Sequence, residues 1–489
     1  MILLQILFHC LWPCIAFAIE ASYQKSAKDF SGYSLIQTVP NTNENLELLR
    51  SLHDNINPDA MDFWSFPTSV GKSVLVLVIP ELNEPTQNIF SQQNMTFVIL
   101  SRDVIEMIEE ERWKVTTEKV RFASSEEAKS AQRRGQYPFN FFNYNTPEEI
   151  NNYLAHISQN TANYNPMPGL KVSQRSIGTT HEGRSINMTS IALNDGKKKA
   201  GVWLDCGIHA REWISPAFCM YAIDQLVRQP GYLLRMYDFY IVPVLNPDGY
   251  AHTWIRSDDV KCGIRMCRLW RRNRKPVEVR QLNPKAQSQM KLSWKEQFHE
   301  AIKNFPGISL HPEIGDKVSV VSPQQRVGRK TLGSFVKRIA TDGTSSLNFS
   351  SLCIGIDLNR NFDMDWNTTG SSDNLCSDEF HGPSPFSEQE SNATRDAIRL
   401  IHSTQKLASF VTVHSFGQLW MYPYGIKGRV SPHRADLDRV ASKSVSALSS
   451  LYGTQYKYGQ AWDVIYEAGG ISSDWAHGKV TILPIDFIE

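Results

Sequence analysis

The chain has 489 residues, of which 41% are hydrophobic and 21% charged, values that exclude a collagen, a mucin stalk or a wholly disordered chain. At about 100–200 residues per domain, that length implies two or three domains. Lys and Arg total 51 against 50 Asp and Glu, a net charge of +1, so nothing marks a nucleic-acid partner or an acidic membrane surface.

Residues 1–18 are apolar and end in Ala16-Phe17-Ala18, the small-residue pattern of a cleaved secretory signal. The competing reading is a membrane anchor, but the apolar run is short and Pro13 interrupts it. No other run is long enough to span a bilayer. Of the eight cysteines, Cys10 and Cys14 lie in this signal, and the even number left suits pairing in an oxidising, extracellular compartment. The N-x-S/T sequons at Asn94, Asn187, Asn348, Asn367 and Asn392 agree with secretion.

Residues 22–120 read as a small α/β unit. Ser73 to Pro80 and Met95 to Leu100 are β-branched-rich strands. Asn43 to Leu52 and Asp103 to Glu111 carry apolar residues at helical spacing. Residues 121–138 are polar and basic and read as a linker; its Arg133-Arg134 pair is either a solvated surface or a processing site between two modules.

From Phe139 strands alternate with helices. Ala200 to Cys206 is a strand, after which Ser215 and Pro216 offer an N-cap and a first-turn proline for a helix over 217–228. Tyr237 to Leu245 is a strand closed by the turn Asn246-Pro247-Asp248-Gly249, a rigid turn suited to a cis bond. Ala408 to His414 is a third strand, and Ala435 to Tyr452 an amphipathic helix. This alternation predicts a sheet with helices on its faces. Residues 276–352 break the rhythm; within them only Trp294 to Phe305 has helical spacing, and so long a loop is unusual in a compact domain.

Of the 13 histidines, His209 alone is followed three residues later by glutamate, Glu212. The pair follows a strand and precedes a helix, where open α/β sheets gather their sites. A catalytic zinc takes three protein ligands and keeps a position for water, and His414 at the end of another strand is the candidate third. Alone, the spacing is a weak signal; His181-Glu182 and His299-Glu300 lack a second histidine at metal spacing.

The neighbouring residues add weight. Asp205 to Cys219, Asn246 to Tyr250, Arg268 to Arg271, Gly355 to Asn361, His414-Ser415, Tyr422 to Gly425, Ile465 to Ala468 and Asp474-Trp475 together resemble, in order, the zinc metallocarboxypeptidases of the A/B type. Asp62 to Trp64, Ser73 to Pro80 and Asp103-Val104 resemble that family's activation segment. The resemblance implies a mixed, mostly parallel central sheet with helices on both faces. A small α+β, ferredoxin-like activation domain would precede it. The layout would be a signal (1–18), an activation domain (22–120), the linker (121–138) and a catalytic domain (139–489).

It also implies roles. One zinc ion would sit on His209, Glu212 and His414, with Asp357 accepting the other ring N–H of His209. Asn359 and Arg360 would hold the carboxylate of a peptide or protein C-terminus, which makes the activity an exopeptidase one. Arg271 would polarise the scissile carbonyl, Arg211 would contact the peptide upstream, and Tyr466 would close over the end residue. Cys206–Cys219 and Cys353–Cys376 match bridges of the family, leaving Cys262 and Cys267 as the remaining pair. The protein would be a secreted, monomeric zymogen, activated by a protease acting at Arg133-Arg134.

Three features depart from the family. Its general-base glutamate lies on a strand after the Asp-Trp pair, in a segment like Phe-Glu-Leu-Arg, whereas here Ala476 to Glu489 has other flanks and Pro484 is expected to break a central strand. Glu489 is therefore not expected to serve as the base, and the catalytic domain reads as incomplete at its C-terminal end. The segment 276–352 is either a surface loop of one lineage or retained non-coding sequence. Ser473, before Asp474, commits the end-residue pocket neither to basic nor to apolar residues. The alternative function is thus an inactive zinc- or peptide-binding protein, or a truncated form, on the same fold.

Overall fold

The computed structural model describes residues 32–56, 60–255, 267–276, 294–305, 308, 354–375 and 377–488. The signal segment, most of 276–352, Cys262, Cys353, Cys376 and Glu489 lie outside the described residues. The chain divides into two compact units: one holds Met1–Glu110, Ser257–Val260 and Gln289–Phe349, the other Glu111–Arg256, Lys261–Ser288 and Ser350–Glu489.

The first unit is a four-stranded antiparallel sheet in the order β2 (Met61–Phe63), β3 (Val74–Val78), β1 (Ser34–Val39) and β4 (Thr96–Ser101). The helix Asn43–Asn55 begins at Thr42, whose side chain accepts from Asn45 N, and it buries Leu48, Leu49 and Leu52. The helix Pro80–Gln92 was not legible in the sequence, because two prolines punctuate it; Pro80 sits in the first turn, where it costs no hydrogen bond.

The expected linker loop is a correction. The helix beginning at Val104 continues to Ala123, and a second runs from Glu126 to Arg133. Ser125 caps the latter by accepting from Ala128 N at 3.1 Å, and Glu126 pairs with Lys129 at 2.9 Å. The polar composition that suggested a loop is the surface of a solvated helix. Arg133 and Arg134 are exposed at its C-terminal end.

The second unit is an eight-stranded mixed sheet in the order β11-β10-β12-β9-β7-β8-β6-β5. Its centre, β12 (Leu483–Ile488), β9 (Leu407–His414), β7 (Ala200–Cys206) and β8 (Tyr237–Val242), is parallel throughout. On one flank β6 (Ser185–Leu193) and β5 (Leu170–Thr179) run antiparallel; on the other lie β10 (Leu419–Tyr422) and β11 (Lys457–Gln460). Alternation along β7 sends Trp203 to a core with Phe410, Ile398 and Trp475, and Leu204 and Cys206 to one with Ile223, Tyr153 and Val413. Helices therefore cover both faces. Among the described residues no helix is long and apolar enough to cross a membrane.

Three local expectations change. The helix after the His-Glu pair starts at Ile214, one residue before Ser215, so Ser215 is inside the first turn and is not its cap. Asn246 to Gly249 is not a closing turn but the start of the helix Pro247–Thr253, with the Asn246 side chain accepting from Gly249 N at 2.9 Å. The cis bonds among the described residues are Ser415–Phe416 and Pro423–Tyr424, not Asn246–Pro247.

The last strand is also present despite Pro484. β12 pairs with β9 from Leu483 to Ile488 but with β10 only from Asp486 to Ile488. At Pro484 one side of the strand has no ladder partner, so a residue lacking an N–H is tolerated there. The ends of the atypical segment lie side by side: Pro276 bridges Ile354, and Gly355 N donates to Lys275 O at 2.9 Å. The expected helix within it runs from Trp294 to Ile302.

Candidate active site

The site gathers at the C-terminal ends of β7 and β9. After Cys206, Gly207 turns the chain at φ +65°, where a Cβ would meet Pro216 Cγ at 3.0 Å. The Ser215 hydroxyl, fully buried, accepts from Gly207 N at 2.8 Å and donates to Val413 O at 2.6 Å. It thus clamps the two strand ends that carry His209 and His414. The sequence concealed this role, because a serine before a proline at a helix start reads as a cap. The predicted Cys206–Cys219 disulfide ties β7 to the following helix. Cys267 is disulfide-bonded as well.

His209, Glu212 and His414 converge, each 4–6% exposed. Asp357 Oδ1 lies 3.1 Å from His209 Nε2 and accepts its N–H, which assigns Nδ1 as the lone-pair nitrogen. That Nδ1 faces Glu212 Oε1 at 2.8 Å and His414 Nδ1 at 3.1 Å, and His414 Nδ1 is 3.2 Å from Glu212 Oε2. Acceptors facing one another in a buried space call for a shared cation. Ligand–ligand edges of a tetrahedral zinc with N/O ligands are about 3.3 Å, so the spacing and the donor set fit zinc.

Asp357 joins this trio to the arginines. Its Oδ2 accepts from Arg271 Nε at 3.2 Å and Nη2 at 2.9 Å, and Arg360 Nη1 lies 3.9 Å away. Despite complete burial, Arg271, His209 and Arg360 keep its carboxyl well below the usual range. Burial opposes the charge of Arg271, but Asp357, Tyr466 and Glu212 outweigh it and hold that guanidinium protonated. Asp205 has a different balance: burial pushes it up to about 6, against hydrogen bonds from Thr412 and Trp203.

The remaining predicted groups lie on the same loops. Asn359 donates its backbone N–H to Asp357 Oδ1 at 2.9 Å, and its Nδ2 is 3.5 Å from His414 Nε2. Its Oδ1 accepts from Ser472 N at 2.9 Å, which ties it to the helix Ser472–Val480 that carries buried Ser473. Arg360 is steadied by donating to Gly370 O at 2.6 Å and Asn359 O at 2.8 Å, and Tyr466 Oη lies 3.3 Å from its Nη2. Gly470 approaches so closely that a Cβ there would lie 2.2 Å from Arg360 O. Arg211 donates to Leu269 O and pairs with Asp378, both at 3.3 Å.

Arg268, which the sequence marks only as part of a motif, has a clear structural role. It pairs with Glu111 through two bonds of 2.6 and 3.0 Å, donates to Arg211 O at 2.8 Å and stacks 3.9 Å from the Trp213 ring. It holds the backbone between His209 and Glu212.

A sequence profile of the zinc carboxypeptidases matches residues 159–487, and one of the carboxypeptidase activation peptides matches residues 36–111. Carboxypeptidase A2 of Mus musculus is 29% identical over 454 residues, covering 92% of this chain and 84% of the relative. Carboxypeptidase B of Homo sapiens is 28% identical over 470 residues, covering 94% and 86%. The crystal structure of carboxypeptidase A from Helicoverpa armigera superposes with a TM-score of 0.67 at 24% identity, covering 94% of this chain and 89% of that one. A crystal structure of thrombin activatable fibrinolysis inhibitor gives 0.64 at 22% identity, covering 94% and 90%; both likenesses establish the fold. With two thirds of its length matched by the peptidase profile, the chain belongs to the zinc carboxypeptidase family and carries a carboxypeptidase activation segment ahead of its peptidase domain.

Proposed function

We propose that the protein is a secreted zinc exopeptidase that hydrolyses the C-terminal residue from peptides or proteins, made as a zymogen. The observation that carries this reading is the trio of facing lone-pair atoms on His209, Glu212 and His414, wired through Asp357 to Arg271 and Arg360. A zinc ion held there would supply Lewis acidity, polarising a carbonyl and lowering the pKa of water.

The chain's own groups supply the rest. Arg360 and Asn359 would hold a terminal carboxylate, and Tyr466, whose Oη lies 3.3 Å from Arg360 Nη2, would cover the end residue. Arg271, kept charged by Asp357, donates to the scissile carbonyl oxygen and stabilises the negative charge that develops when water adds. Arg211 contacts the peptide upstream. Water adds to the carbonyl carbon and gives up a proton, the C–N bond breaks, and the proton lost by the water ends on the leaving amine. The Cys206–Cys219 bridge supports an oxidising, extracellular compartment. Exposed Arg133 and Arg134 at a helix end support cleavage by an activating protease.

A second reading, zinc or peptide binding without turnover, is favoured by one observation. The register of β12 sets Ile488, and no acid, level with His414 on the neighbouring strand. One assay separates the two: the linker-cleaved protein is incubated with peptides of varied C-termini, with and without a chelator. Chelator-sensitive release of single end residues supports the peptidase. Stoichiometric zinc with no release supports the binding protein, and absence of zinc overturns the peptidase and zinc binding alike.

A further inference from the structure

The helix Trp294–Ile302 belongs, by sequence, to the peptidase region matched over 159–487, yet it is built into the first unit. Phe298, Ala301 and Ile302 are 3%, 1% and 3% exposed and share one apolar cluster with Leu48, Leu49 and Leu52 of the helix Asn43–Asn55. Phe305 packs against the same cluster. The spacing i, i+3, i+4, i+7 makes one apolar stripe, while Glu296, His299, Glu300 and Lys303 are exposed. Ser51 Oγ donates to Ala301 O at 2.7 Å, across 250 residues of sequence. A helix of nine residues is not stable alone in water, so this packing is what holds it. Pro276 and Ile354, which flank the segment, pair with each other in the second unit.

We propose that this helix anchors the activation fragment to the peptidase chain after the linker is cut. A nick at Arg133-Arg134 severs the activation fragment, ending at Arg133, from the peptidase chain. The anchor helix stays covalently in the latter and remains seated against Leu48, Leu49 and Leu52 of the former. Release of the fragment, not the nick, then sets the onset of activity. The inference rests on the zymogen reading only for that last consequence.

The test uses the full chain, nicked in the linker with a trypsin-like protease and passed over a size-exclusion column in native buffer. The two fragments are expected to co-elute. The double variant F298A/I302A, which removes the largest buried groups of the stripe, is expected to release the fragment at least about 100-fold more readily on dilution. Separate elution of the wild-type fragments, or unchanged retention in the variant, overturns the anchor. Should that variant misfold, S51C paired with A301C is oxidised before nicking. A single band under non-reducing conditions supports the seating, and two bands refute it. Elution reports the anchor whatever the activity. Absence of chelator-sensitive peptidase activity after the fragment is removed would instead defeat the zymogen reading and leave the anchor standing.

Discussion

Replacing Asp357 with asparagine tests the wiring of the site most sharply. The carboxylate accepts the Nε2–H of His209 at 3.1 Å and two N–H groups of Arg271 at 2.9 and 3.2 Å. An asparagine has one carbonyl oxygen for these two partners and turns its NH2 toward a donor. Either His209 loses the acceptor that fixes its tautomer, or Arg271 loses its counter-charge. Breaking a buried pair costs about 3–5 kcal/mol. Glu212 lies 3.6 Å from Arg271 and offsets part of this, so D357N is expected to lose roughly 3 kcal/mol of stability. Removing a group that orients a histidine ligand lowers metal affinity by about 10–100-fold, or roughly 1.4–2.7 kcal/mol. Zinc is titrated against a chromophoric chelator, and urea unfolding is followed on the same samples. Zinc affinity within twofold of wild type, in a variant that still folds, would refute the argument.

The other predictions concern the scaffold around the site. Burial and the neighbouring charge of Glu388 push the Glu390 carboxyl up to about 8, so the folded protein holds a proton that the unfolded chain releases near 4.5. Stability from this group is full below about 4.5 and is lost as pH rises toward 8. E390Q, neutral throughout, is expected to melt near the wild type at pH 5 and above it at pH 8; a parallel pH dependence in the two proteins would contradict this. S215A removes the hydroxyl between Gly207 N and Val413 O and is expected to cost about 1–3 kcal/mol in urea unfolding, with weaker zinc binding. Replacing Cys206 and Cys219 by serine opens a loop with sequence separation 13 and is expected to cost about 3 kcal/mol. An unchanged unfolding midpoint would mean that the bridge adds nothing beyond the packed strand and helix.

The candidate metal ligands were legible because their chemistry is local: a histidine and a glutamate three apart at a strand end, and a second histidine ending a strand of the same sheet. Asp357, Asn359 and Arg360 were legible only as part of an ordered set of motifs, since nothing in a short stretch says that a loop will return to His209. Ser215 was misread for a physical reason: a hydroxyl at a helix start can cap the helix or bridge two strands, and only tertiary packing decides. Pro484 was misread because a proline is excluded from a strand paired on both sides, and the sequence does not reveal that β10 stops short of it. The helices over 104–133 were cut short because solvated helical surface and linker have the same composition. The partner of the 294–302 helix was invisible, since its stripe says that something is buried but not what buries it.

The central claim is that His209, Glu212 and His414 hold one zinc ion. X-ray absorption at the zinc edge, on protein whose metal content has been counted, tests it directly. The account predicts one zinc per chain, two imidazole nitrogens at about 2.0–2.1 Å with a carboxylate oxygen beside them, and loss of the signal in H414A. Sulfur ligation, or zinc retained in full by H414A, would contradict it.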